Sequence, residues 1–76
     1  MDAKTLRQLW STVEATQAST LTSLDDTSLI ERLVGDLQYT NRALDETDMS
    51  EVSDYIRSKL SLIRDLADGR VMRATA

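Results

Sequence analysis

Five carboxylates crowd one short stretch of this chain: Asp45, Glu46, Asp48, Glu51 and Asp54. Clustered carboxylates can hold a hard cation through oxygen ligands, or share protons for acid–base work. The spacing does not fit a calcium loop, which needs glycine at its sixth position and glutamate at its twelfth. Acids gathered at a helix start are explained by the helix dipole alone. The chain has no histidine and no cysteine, which removes the usual general base near neutral pH, the thiolate nucleophile and the zinc–thiolate site. Two glycines in the whole chain leave no glycine-rich loop to cradle a phosphate. The expectation is a protein without cofactor or metal that is not an enzyme.

Side chains suited to contacts are better represented. Tyr55, Leu62 and Leu66, with Lys59 among them, widen the apolar face of the last helical segment. Tyrosine and a lysine stem cover apolar area while keeping their polar ends wet, which suits an interface. Gly35 stands opposite the apolar stripe of its own segment, with Arg32 and Tyr39 on the same side. A glycine there costs helix stability with no visible return, so this side reads either as neutral drift or as a flat approach site anchored by Arg32 and Tyr39. Gln17 falls within the apolar face of the first segment; either it lies beyond the packed part of the helix or its amide reaches water while the stem packs, or it is a buried amide that fixes register, as across a dimer axis. The single tryptophan, Trp10, reads as core, with its indole N–H needing an acceptor from Gln17 or a hydroxyl.

These residues need helices to position them. The chain has no proline, so nothing forbids helix anywhere, and neither strand alternation nor a hairpin turn signal is present. Leu6, Leu9, Trp10, Val13 and Leu21 fall on one side of a helical projection. Leu29, Ile30, Leu33, Val34 and Leu37 form a second stripe, and Met49, Val52, Ile56, Leu60, Ile63 and Ala67 a third. Three starts share one pattern, an apolar residue, Asp, then an apolar residue four positions on: Met1-Asp2 with Leu6, Leu24-Asp25 with Leu29, and Leu44-Asp45 with Met49. This is the geometry of an Asp cap with a hydrophobic staple. The hydroxyl-rich stretch 19–23, Asn41 in a left-handed conformation and Gly69 after Asp68 supply the stops.

The predicted fold class is therefore all-α: a small antiparallel three-helix bundle with helices at about 2–20, 26–40 and 46–68. Residues 1–70 make one helical domain and 71–76 a frayed tail. The link at 40–45 lets the last helix pack in cis or in trans, so an intertwined dimer is the alternative to a closed monomer. A core this small supplies little net stability, and without a disulfide or metal, association is the remaining device. A homodimer is the simplest form of it.

The net charge of −4, from 9 Lys+Arg against 13 Asp+Glu, gives no pull toward phosphate backbones. A helix-turn-helix reading would use the second and third helices, but it puts Asp45, Glu46, Asp48 and Glu51 where a recognition helix needs cations. Nucleic-acid binding and transcriptional regulation are thus the secondary reading. No apolar run is long enough for a membrane span or signal core, so a cytoplasmic location is expected. The segments Thr5-Leu6-Arg7-Gln8-Leu9-Trp10 and Leu62-Ile63-Arg64-Asp65-Leu66-Ala67 resemble parts of short uncharacterised helical proteins from cyanobacteria. That resemblance implies a bacterial setting and carries over no catalytic residue. The expected function is a small interaction or adaptor module that self-associates and acts on an unidentified protein partner.

Overall fold

The computed structural model describes the backbone of residues 2–75 and the side chains of residues 2–69. The chain is all-helical, with four helices and no strand among the described residues: α1 (Ala3–Ala15), α2 (Ala18–Ser23), α3 (Asp26–Thr40) and α4 (Glu46–Thr75). It measures 41 × 22 × 18 Å. α4 packs against α2 and α3, and α1 packs against α3.

The Asp starts behave differently from one another. Asp2 caps α1 by accepting the Thr5 backbone N–H at 2.7 Å. Asp45 and Asp48 cap reciprocally: the Asp48 N–H donates to the Asp45 carboxylate at 2.8 Å, and the Asp45 N–H donates to the Asp48 carboxylate at 3.3 Å. This is a capping box with a shortened acid at its third position. Asp25 occupies the cap of α3 but makes no side-chain cap bond, contrary to the expectation. Its staple still closes, with Leu29 buried and Leu24 packed against the core. Met1, the first residue of the first staple, lies outside the described residues.

The first helix does not run to residue 20. It stops at Ala15, Thr16 takes an extended conformation, and a six-residue helix restarts at Ala18. The hydroxyls explain the break. Thr12 donates to the Gln8 carbonyl at 2.9 Å and Thr16 donates to the Thr12 carbonyl at 2.8 Å, competition that weakens a helix at β-branched positions. α3 ends at Asn41 as predicted, but in an extended conformation with φ −127°. The Asn41 side chain binds outward instead, donating to Gln8 Oε1 at 3.0 Å and accepting the Ala43 N–H at 3.2 Å.

α4 runs through its predicted stop. Gly69 sits within the helix, and no described glycine has positive φ, which a glycine cap of the left-handed type requires. Residues 71–75, expected as a frayed tail, continue the helix, and Ala76 lies outside the described residues.

The core joins all four helices. Leu9 and Val13 of α1, Leu21 of α2, Leu29, Ile30, Leu33 and Leu37 of α3, and Val52, Ile56, Leu60, Ile63 and Ala67 of α4 are buried together. These are the inward positions of the predicted stripes, which is why the helical period alone locates them.

Candidate functional site

The stripe on α4 divides in two. Near its start, Tyr55 is half-buried, and its ring meets Trp10 of α1 edge-on, with centroids 6.3 Å apart at 86°. The Trp10 indole N–H donates to the Tyr55 hydroxyl at 3.2 Å. Trp10 therefore finds its acceptor in a hydroxyl and not in Gln17, and Tyr55 serves internal packing more than an open edge. Further along, α4 has lost α1, which ends soon after Trp10. There Leu62 and Leu66 are 45% and 46% exposed. Lys59 links the two halves, with its ammonium 5.9 Å from the centre of the Tyr55 ring, within cation–π range.

The side of α3 around Gly35 differs in kind. A Cβ added at Gly35 would meet nothing within 4 Å. Tyr39 is 78% exposed, and the Arg42 guanidinium lies 5.8 Å from its ring centre. Arg32 is held by Asp36 one turn on, at 3.2 Å. The polar groups of this ridge thus satisfy one another locally.

Gln17 is not a buried register residue. It is exposed and stands at the cap of α2, where its side chain makes no cap bond. The break at Thr16 turned it out of the apolar face. With Thr12, Thr16, Arg32, Asp36, Tyr39 and Thr40 it lines a polar hollow of about 490 Å³. Three predicted contact residues, Gln17, Arg32 and Tyr39, therefore meet at one place, while Gly35 borders a neighbouring depression with Gln38 and Arg42. The hydroxyls of Thr12, Thr16 and Thr40 donate to backbone carbonyls, so they offer a ligand acceptor oxygens only. The carboxylate that lines the hollow, Asp36, is paired with Arg32 at 3.2 Å.

The acidic stretch has its own arrangement. Asp48 and Glu51 border a depression with Asp2 and Asn41, and among the described residues no three carboxylates converge to hold a metal ion. The carboxyl of Asp2 is lowered from 3.8, first by the Thr5 backbone N–H and then by the Thr5 hydroxyl. That shift belongs to a helix cap.

One residue with a large role escapes sequence reasoning. Arg64 donates to the Leu21 carbonyl at 2.9 Å, to the Leu24 carbonyl at 3.0 Å and to Asp26 at 2.9 Å. It thereby caps the C-terminus of α2 and reaches the first turn of α3. The i,i+4 spacing to Asp68 makes it look like an ordinary solvated pair, and its true partners lie about 40 residues away. The available signal is positional: Arg64 borders the stripe of Leu60, Ile63 and Ala67, so its stem must pack beside the core.

No protein family, curated protein or solved structure matches this chain. Among the described residues no helix is long and apolar enough to cross a membrane.

Proposed function

We propose that this protein is a non-catalytic interaction module of the cytoplasm that associates with a second copy of itself through the outer face of α4. The working unit in this reading is an antiparallel bundle of α1, α3 and α4, with α2 as a short cap over one end. The observation that carries it is the pair Leu62 and Leu66. Both leucines stand nearly half exposed, and they continue a stripe whose beginning is already covered by Trp10. A small domain without disulfide or metal gains from covering such area. In the polar hollow and on the α3 ridge, Thr12, Thr16, Thr40 and Arg32 hold donors in internal bonds, which favours contact over chemistry.

The test is the double variant Leu62→Ser with Leu66→Ser, measured by light scattering across a concentration series. Neither leucine is in the core, so the variant is expected to keep its helical circular dichroism. Its dimer dissociation constant should rise by about 100-fold or more, from the apolar area lost on both copies. An unchanged constant contradicts the reading.

A further inference from the structure

α1 and α2 are parted by two residues that nothing in their type compels to leave a helix. The run Ala15-Thr16-Gln17-Ala18 contains neither glycine nor proline, the residues that disfavour helix most. Thr16 lies at φ −82°, ψ 138° and Gln17 at φ −62°, ψ 141°. Both φ angles are close to helical, so two ψ rotations separate this bent joint from a straight one. The bend costs backbone bonds. Among the described residues, the N–H groups of Gln17, Ala18 and Ser19 have no backbone acceptor, while those of Thr20 and Leu21 share the Gln17 carbonyl. An unbroken helix would give these three donors the carbonyls of Val13, Glu14 and Ala15. It would also stay amphipathic, since Leu6, Leu9, Trp10, Val13 and Leu21 share one side of a single helical projection.

We infer that this joint is a hinge, that it straightens into one helix over residues 3–23, and that two copies of the chain exchange α1 when it does. α2 is the half that stays. Leu21 is fully buried, and Arg64 of α4 holds the carbonyls of Leu21 and Leu24. Straightening therefore carries α1 off its own α3 and uncovers Leu9 and Val13, which belong to the core. The surface shaped to that face is the seat α1 leaves, and a second copy presents the same seat. In the exchanged pair the bonds from Asn41 to Gln8 and from Trp10 to Tyr55 re-form between copies. The two forms then differ mainly at the joint. The pair gains the missing backbone bonds, and the single chain keeps the freedom that association removes. This exchange goes beyond the contact proposed for α4, because Leu62 and Leu66 take no part in it. It requires α1 to leave its seat, so it is reached by refolding and not by mixing folded chains.

The test uses the Leu62→Ser, Leu66→Ser chain, which takes the α4 face out of the measurement. The parent joint, Thr16→Ala and Gln17→Pro are each refolded across a concentration series in that background, and dissociation constants are read by sedimentation. Gln17→Pro suits the bent joint, because proline holds φ near −65° and keeps the preceding residue extended. The N–H it removes has no backbone acceptor. Its monomer should melt about 2–8 °C higher than the parent. In the straight helix the same substitution loses the bond to Val13 and clashes with that carbonyl, so the dissociation constant should rise about 1,000-fold or more. Thr16→Ala favours helix at both joints of a pair and should lower the constant by about tenfold. A dimer of equal strength with and without Gln17→Pro overturns the hinge. So does a Thr16→Ala constant that is unchanged or higher, an arm that holds even if Gln17→Pro loses its helical circular dichroism. Monomers in all three samples overturn the exchange and leave the α4 reading standing. That reading fails separately, if natively folded chain never dimerises.

Discussion

The outer face of α4 and the ridge of α3 both looked like contact surfaces in the sequence, yet they are built differently. On α3, Arg32 is tied to Asp36, and Arg42 lies over the Tyr39 ring, so the groups that would anchor a partner already have company. On α4, Leu62 and Leu66 present apolar carbon that is nearly half exposed. Exposed apolar area is what association removes from water at a net gain. Exposed polar groups that already pair must first be separated, and that desolvation offsets most of what a partner returns. The residue types favoured at hot spots therefore mislead when their local pairing is unknown.

Substitutions can sharpen this contrast. The largest difference should come from polar replacement at Leu62 and Leu66 set against Tyr39→Ala. The first should raise the dissociation constant by about 100-fold or more, and the second should leave it within about twofold, since exposed contacts of this kind contribute little. Equal loss in both would make α3 a genuine interface. Next in size is Arg64→Met, which leaves the carbonyls of Leu21 and Leu24 without their charged donor. Chemical denaturation should show a loss of about 1–3 kcal/mol, in the range for bonds to a charged group. Tyr55→Phe removes the acceptor of the Trp10 indole and should cost about 0.5–1.5 kcal/mol by the same measurement.

Smaller effects bear on the α3 ridge and on α1. Gly35→Ala puts a methyl group into open space within a helix, so it should stabilise by about 0.5–1 kcal/mol. For a domain of this size that corresponds to a rise in melting temperature of about 2–8 °C. A weaker dimer in that variant would show that Gly35 is a contact. The smallest effect is that of Asp2. Its carboxyl is lowered below 3.8 in the folded chain, so its contribution is present above that value and fades as pH falls through the lower folded value. An acid titration followed by circular dichroism should show Asp2→Asn flattening this part of the stability profile, with no change near neutrality.

Much of the fold was legible because it depends on local period and capping. The stripes of α3 and α4 named the buried residues, and the Asp-headed starts placed three helix beginnings, because a 3.6-residue repeat and a staple are sequence-local features. Two boundaries were not legible. The break at Thr16 depends on hydroxyls turning to their own backbone, which many mid-helix threonines do without ending a helix. The passage of α4 through Gly69 depends on what the helix gains by continuing, and a glycine looks the same in sequence whether it stops a helix or sits inside one. Of the candidate surfaces, the width of the arc alone left open whether Leu62 and Leu66 pack against neighbouring helices or stand exposed, as they do. Gln17 was misplaced because its face was drawn on a helix that ends before it. Arg64 went unread because nothing near it in the chain names carbonyls on α2 as its partners.

The central claim is that α4 carries a face made for another copy of the chain. Sedimentation equilibrium of the unsubstituted protein, from low micromolar to high micromolar concentration, tests it most directly. The expected result is a reversible monomer–dimer equilibrium whose dimer fraction rises with concentration. A mass fixed at that of the 8.5 kDa monomer across the whole range would contradict it.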